Sequence, residues 1–570
     1  MKIGGKGRKI LIVNLTRMGD LLQMTPLLTG LRRENSDVEI TLLVLKEFRE
    51  VCSGFPFVNG VEVFDGKDLM SRLWDSDGSL VESYRVVERV LERLRRKRFD
   101  TIINLSFSKY SGLLTSLLKI RDVRGITIDE YGNRLIKHPW VNHFFNMANN
   151  RDINLFNYVD FIRKIGGTSI KSAMSFAISD HARAFARAFY SDHGVSETDF
   201  VVGLQPGASS ESKRWPAESF GTLAMRLIQE AAKVTVFGGT GEKDLGERIR
   251  GAVSLSPGHV ERHLFDVIGK TSVEQLAALL ARCNLLVTND TGTMHVATAV
   301  GTRVIELSLG PVYFSETGPY GEGHLVIQIE MPCAPCGFHV DCKNPKCRDA
   351  ISVTHAIKAI QMAREGLVQK GGQLSDAPVW NGIQLYRGDF DEDGMLEFLP
   401  LIRRSLRRMD LIKMVHREMW KIVLDERGGE IDPLRVCRKI HSLFGVNGIP
   451  ENLEKDQRAF EVTGALARKG MEISRHLVQW SENIEQNISA IKTAGSVIHE
   501  IDEQIELQGM THQACHPLTF MFRQGKENLE EGDLGILSQK TFHLYKTLLR
   551  EATLMNRGLE RTAACLKQTA

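Results

Sequence analysis

The sequence predicts an α/β protein of two doubly wound parallel sheets facing a cleft, followed by an all-helical segment. Three observations carry this. Short β-branched runs alternate with helical patterns from residue 9 to about 360. The series breaks at roughly 140–190 and then starts again. Strand signals vanish after about 375. Buried strands alternating with helices imply parallel sheets covered by helices.

In chain order, "KILIVNL" (9–15) is a strand, followed by the amphipathic "LLQMTPLLTGLRREN". "VEITLLVL" (38–45) and "VEVF" (61–64) are strands, then a charged helix spans about 80–98, then "FDTIINLS" (99–106) is a strand. After the polar helical stretch come the strand and loop "FVVGLQPGAS" (200–209) and the helix "AESFGTLAMRLIQEAA" (217–232). The strand "KVTVFGG" (233–239), the helix "SVEQLAALLARC" (272–283) and the strands "NLLVTND" (284–290) and "TRVIELSL" (302–309) complete the second series. Helical patterns then cover 395–425, 433–445, about 453–508 and 533–567. The expected domains are 1–190, 191–375 and a helical 376–570. Ligands in such sheets sit beyond the carboxyl ends of the strands.

Composition bounds the function. A chain of 570 residues is too long for one core,. A net charge of +3 gives no reason to expect a nucleic-acid partner,. No apolar run reaches the roughly 18–20 residues of a membrane span. The start "MKIGGKGRKILIVNL" reads as a strand, not a secretory signal,. A reducing cytoplasm, with its cysteines as thiols, is the expected compartment.

Three stretches carry chemistry. In "LVTNDTGTMHVATAVGTRVIEL" (286–307) a strand ends at Asn289-Asp290 and a helix starts near Thr291. Free N–H groups and the helix dipole attract an anion there, and Gly292 lets a phosphate approach. Asp290 suits the hydroxyl pair of a ribose, and His295 lies one turn on,. In "QPGASSESKRWPAESF" (205–220) Ser209, Ser210 and Lys213 precede a helix start at Pro216, a clamp for a diphosphate,. In "NLTRMGDLLQMTP" (14–26) Asp20 follows the first strand, where a carboxylate could take a proton from an acceptor hydroxyl,. Taken singly, each has a plain alternative: helix caps at Asp290-Thr291 and Asp20, and a surface loop around Lys213.

Together the stretches resemble glycosyltransferase family 9, the ADP-heptose:lipopolysaccharide heptosyltransferases, over about residues 8–363. The Gly-Asp step, "SKRWP", "NDTGTMH" and "TGPYG" (317–321) stand in family order. The resemblance implies the two-domain GT-B architecture, an ADP-sugar donor and inverting transfer. It implies Asp20 as general base and Ser209 with Lys213 on the donor diphosphate. It places Asp290 on the adenosine ribose and Thr291, Gly292 and His295 at the phosphate site. The match is weaker between 107 and 195, where acceptor contacts are expected. No Asp-x-Asp motif stands in the donor half, so no catalytic metal is expected. The acceptor would be a lipid-linked glycan, a lipopolysaccharide core sugar or a related surface glycan. A protein O-heptosyltransferase and a degenerate scaffold with a helical binding module are the alternatives.

"MPCAPCGFHVDCKNPKC" places Cys333, Cys336, Cys342 and Cys347 with spacers of two, five and four. Four thiols can close on one tetrahedral ion, zinc by default or iron, with His339 as a spare ligand; reduced free thiols are the alternative. Cys52, Cys283, Cys437, Cys515 and Cys565 lack metal spacing. "DFDEDGMLEFLP" (389–400) starts like a calcium loop with Asp389, Asp391, Asp393 and Gly394. Its twelfth position is Pro400, so it reads as a solvated turn leading into a helix,. "RRSLRR" (403–408) gives a helix a basic face that could touch the inner membrane,. The helices 453–508 and 533–567 could pair with a second copy or pack on the catalytic half.

Overall fold

A computed structural model describes residues 7–74, 80–337, 340, 342–366, 378–446 and 448–569. It divides into one unit of residues 1–123 and 156–403 and another of 124–155 and 404–570.

The first unit holds two sheets. In the first, β1 (Lys9–Asn14), β2 (Glu39–Leu45), β3 (Gly60–Phe64) and β4 (Thr101–Asn104) are parallel in the order β3-β2-β1-β4. Ile10, Leu11, Ile12 and Val13 are completely buried, as a strand covered on both faces requires,. The helical run after β1 is two helices, α1 (Met18–Gln23) and α2 (Thr25–Glu34). Pro26 falls in the first turn of α2, where its missing N–H costs nothing,.

The chain continues with β5 (Asp122–Ile128) and β6 (Arg134–Lys137), an antiparallel pair whose paired residues fall in the second unit. The second sheet of the first unit contains β7 (Val201–Gln205), β8 (Lys233–Val236), β9 (Leu264–Asp266), β10 (Leu285–Thr288), β11 (Arg303–Ser308), β12 (Leu325–Ile329), β13 (Ile383–Phe390) and β14 (Leu396–Pro400). Its order is β14-β13-β12-β11-β10-β7-β8-β9. The chain winds outward in opposite directions from the β7/β10 pair, so a crevice opens at the carboxyl ends of those two strands.

Two expectations are corrected here. Residues 376–570 are not wholly helical, because β13 and β14 extend the second sheet as an antiparallel hairpin. The acidic stretch after Asp389 is the tip of that hairpin and leads into a strand, not a helix. Asp391 accepts from the backbone N–H groups of Asp393 (3.0 Å) and Met395 (2.9 Å), and Gly394 supplies φ +69°,. Met395 and Leu396 are buried on the strand that follows.

The second unit is helical beyond the β5–β6 pair. Its helices are Pro139–Asn149, Arg408–Leu424, Pro433–Leu443, α4 (Leu453–Trp480), Ile484–Thr511, His516–Glu527 and α5 (Leu534–Thr569), with α3 (Gly292–Ala299) lying in the first unit. The expected basic helix at 403–408 is also corrected, since the helix begins only at Arg408. Arg404 is held by Asp410 (2.6 and 2.8 Å) and Arg408 by Asp456 (2.6 and 2.5 Å), which withdraws both from a free basic face,. No described helix is long and apolar enough to cross a membrane.

Small buried residues at helical spacing on α4 (Ala459, Thr463, Ala467, Gly470, Ser474) let α5 approach closely,. A Cβ on Gly470 would stand 2.3 Å from the Tyr545 ring. That ring is fully buried and tied by its hydroxyl to Asp502 (2.6 Å), so it cannot move aside. Gly470→Ala therefore lowers stability by about 1–3 kcal/mol from overpacking, outweighing the ~1 kcal/mol gain in helix propensity. Thermal unfolding checks this, and an unchanged or raised Tm refutes it.

Candidate active site

The site is built at the carboxyl ends of β1, β7 and β10. After β1 the chain turns at Thr16-Arg17 into α1, and Asp20 occupies the first turn. The Arg17 N–H donates to Asp20 Oδ2 (3.4 Å), and the Thr16 hydroxyl donates to Asn14 Oδ1 (2.5 Å). Gly19 lets the second sheet come close: a Cβ there would be 2.9 Å from His295 Cδ2 and 3.7 Å from Gly292 Cα. A Cβ on Gly292 would be 2.8 Å from Met18 Cε. The amino ends of α1 and α3 thus abut, and the glycine expected to admit a phosphate faces α1 in this structure.

Asp20 stands among His295, Thr16, Arg17 and Tyr158. Burial raises its carboxyl above the ordinary range, opposed by His295, the Arg17 N–H, the Thr16 hydroxyl and the Arg17 charge,. His295, 5% exposed, is pushed down by burial against the pull of Asp290 and Asp20. Its Nδ1 is buried and finds no partner among the described residues. One imidazole therefore lies within electrostatic reach of both carboxylates.

On the donor side Lys213 Nζ donates to Asp290 Oδ2 (2.7 Å), with side chains 15% and 13% exposed. Asn289 sets this pair. It donates to the carbonyls of Pro206 (2.8 Å) and Gly207 (3.2 Å) and accepts from the Trp215 N–H (3.1 Å). The buried Trp215 donates through Nε1 to the Ile351 carbonyl (2.7 Å). Lys213 therefore leaves a loop pinned at both ends. Thr291 caps α3 by accepting from the Met294 N–H (3.4 Å). Ser209 is exposed on the same loop, and Ser210 pairs with Ser212 (3.0 Å).

Sequence reasoning missed two acids. Glu242, in "FGGTGE", accepts from Gln205 Nε2 (3.2 Å) and the Gly239 N–H (2.8 Å). A Cβ on Gly207 would fall 1.6 Å from its Oε1, so the Pro-Gly step marks the place where this carboxylate crosses the donor loop. Glu306 on β11 is fully buried, and neither of its oxygens has a partner among the described residues. The "TGPYG" stretch has a scaffold role. Tyr320 donates to Asp160 Oδ1 (2.9 Å), which Arg163 also engages (2.8 Å), and the Leu396 N–H donates to Asp160 Oδ2 (2.8 Å).

The cysteine loop follows β12. The Cys336 N–H donates to the Gly310 carbonyl (3.1 Å), and Gly310 lies against the Ser212 carbonyl beside the donor loop. Burial pushes the Cys336 thiol up, reinforced by Cys347, Cys342 and Cys333. The four thiols thus share a neighbourhood. Among the described residues, however, no three His, Cys, Asp or Glu side chains converge closely enough to hold a metal ion, so the expected ligand set is not assembled here. His339 lies outside the described residues.

Two doubly wound sheets meeting at their carboxyl ends, one presenting Asp20 and the other a Lys213–Asp290 pair, define the GT-B class of fold. Residues 87–347 match the model of glycosyltransferase family 9 (heptosyltransferase). A solved family 9 glycosyl transferase from Veillonella parvula shares the fold at 23% identity, with a TM-score of 0.53 over 64% of this chain and 100% of that one. The lipooligosaccharide heptosyltransferase 2 of Haemophilus influenzae is 34% identical over 130 residues, 23% of this chain and 36% of that protein. The lipopolysaccharide heptosyltransferase 1 of Pseudomonas aeruginosa is 22% identical over 331 residues, 58% of this chain and 86% of that protein. The chain spans 36%, 39% and 50% of the length of three of the curated relatives it matches, the Haemophilus influenzae protein among them.

Proposed function

We propose that the chain is an inverting glycosyltransferase moving a heptose from ADP-heptose to a lipopolysaccharide-core or related surface-glycan acceptor in the cytoplasm. One observation carries this reading: the Lys213–Asp290 pair at the end of β10 stands with Asp20 around a single imidazole, His295. Asp290 would hold the adenosine ribose, and Lys213 would turn to the diphosphate. The acceptor oxygen attacks the anomeric carbon opposite the leaving ADP and yields its proton to Asp20. The bond to the β-phosphate oxygen breaks, and its electrons stay with ADP. Lys213 and the first amides of α3 neutralise that charge, which is often the larger contribution to rate.

A panel of nucleotide sugars, read by mass spectrometry of the product with and without glycan acceptor extracts, tests this. Heptose transfer with ADP release is expected. Transfer from a different nucleotide, or consumption of no donor, overturns the reading.

The four cysteines suit zinc or iron in donor chemistry, and the ion would brace the loop beside Lys213. Protein purified without added metal is expected to carry one zinc or iron per chain by elemental analysis, lost on replacing Cys336 and Cys347 by serine. A ratio near zero in the unaltered protein removes the site.

A further inference from the structure

The molecule places an acid where no solvent reaches it. Glu306 is 0% exposed on β11, and its strand partner on β10 is Thr288, two residues before Asp290. Its other side is closed by Gly318, where a Cβ would be 3.1 Å from Glu306 Oε2 and 2.9 Å from the Phe398 ring. Both carboxyl oxygens are without a hydrogen-bond partner among the described residues. The charged groups that act on it are Asp290, which disfavours its ionisation, and Lys213, which favours it. Lys213 is already spent on Asp290 at 2.7 Å.

An ionised carboxylate buried without a protein hydrogen bond and with a second carboxylate nearby is costly, and such a group keeps its proton. We propose that Glu306 is held as a neutral carboxylic acid, which leaves Lys213 one exchangeable carboxylate partner, Asp290. Were Glu306 ionised, Lys213 would face two carboxylates and be held from an incoming diphosphate. The inference rests on the reading of this site as a nucleotide-diphosphate site. Burial and Asp290 both raise the Glu306 carboxyl well above the ordinary range, in keeping with this state. When a diphosphate draws Lys213 away, the counter-charge near Glu306 weakens further. At a pH where free Glu306 has begun to ionise, binding then takes up a proton from solvent at its carboxylate, and affinity falls with pH by linkage.

Two measurements decide it. The infrared spectrum of the full chain at neutral pH is expected to show a buried protonated-carboxyl stretch that is missing in Glu306→Gln; identical spectra overturn the proposal. ADP titrations from neutral to alkaline pH are expected to weaken by up to about tenfold per pH unit in the wild type relative to Glu306→Gln. Equal slopes in the two proteins overturn the electrostatic coupling to Lys213. If Glu306→Gln does not fold, the infrared band of the wild type is titrated instead, and ADP is expected to move its midpoint to higher pH; an unmoved midpoint refutes the coupling. If neither protein binds ADP, the nucleotide-site reading falls and the role at Lys213 falls with it, while the infrared band alone still reports the proton on Glu306.

Discussion

Asp20→Asn lowers kcat by about 10²–10⁴-fold while ADP binds as tightly as before. Asp20 is bonded within its own turn, to the Arg17 N–H, and Lys213 is bonded to Asp290, so loss of the carboxylate removes proton acceptance and leaves the Lys213–Asp290 contact intact. Asparagine keeps an oxygen for the Arg17 N–H, so the first turn of α1 survives. The pH profile supplies a second signature. Burial raises the Asp20 carboxyl, and only its ionised form can accept a proton, so the acid limb of kcat/KM lies above the ordinary carboxylate value,. The stability sign is the opposite. A carboxyl raised on folding favours the fold most below its unfolded value, and that contribution is lost as pH rises through the folded value. At neutral pH Asp20→Asn is therefore expected to be at least as stable as the wild type. Near-normal turnover, or a loss confined to ADP affinity, sinks the assignment.

Lys213→Ala has the second large effect, on binding rather than on proton transfer. On the proposed reading it removes a charge-assisted contact to the donor phosphates, about 1.5–3 kcal/mol, or roughly ten- to a hundred-fold in Kd for ADP. It also strands Asp290, whose side chain is 13% exposed, without its cation. Leaving a mostly buried charge unpaired costs about 1–3 kcal/mol of stability. Asp290→Asn in the same chain is expected to restore part of the stability but none of the affinity, because the two residues form one unit. Calorimetry with ADP and thermal unfolding read the two effects separately. A variant with wild-type Kd and Tm shows that the pair serves neither purpose.

The parts of the site written in short contiguous patterns were legible before any coordinates. Asp290 and Asp20 follow their strands closely, and Lys213 stands on the loop between β7 and the next helix, so the strand ends and this loop bring them to one crevice. Glu306 and Glu242 were not legible in that way. Glu306 meets Asp290 because β10 and β11 are neighbours, and Glu242 meets Gly207 because β8 lies beside β7. Strand adjacency of that kind is set by tertiary packing and leaves no local trace. The β13–β14 hairpin failed for a different reason. Its acidic turn resembles a loop, and "MLEFLPLI" runs straight into the helical pattern that starts at Arg408. Only pairing with β12 makes those residues extended. The four cysteines could be counted in the sequence, but spacing cannot say whether the loop is already folded around an ion.

The resting salt link at Lys213 also bears on selectivity. With cation and anion engaged to each other, the pair offers little net field to stray inorganic phosphate. A lone anion would have to separate the two and would leave Asp290 with nothing in exchange. A molecule carrying a vicinal diol at the right distance from a pyrophosphate repays both halves at once. On the proposed reading, the pairing of Lys213 with Asp290 would favour a ligand with two matched ends over the abundant small anions of a cell.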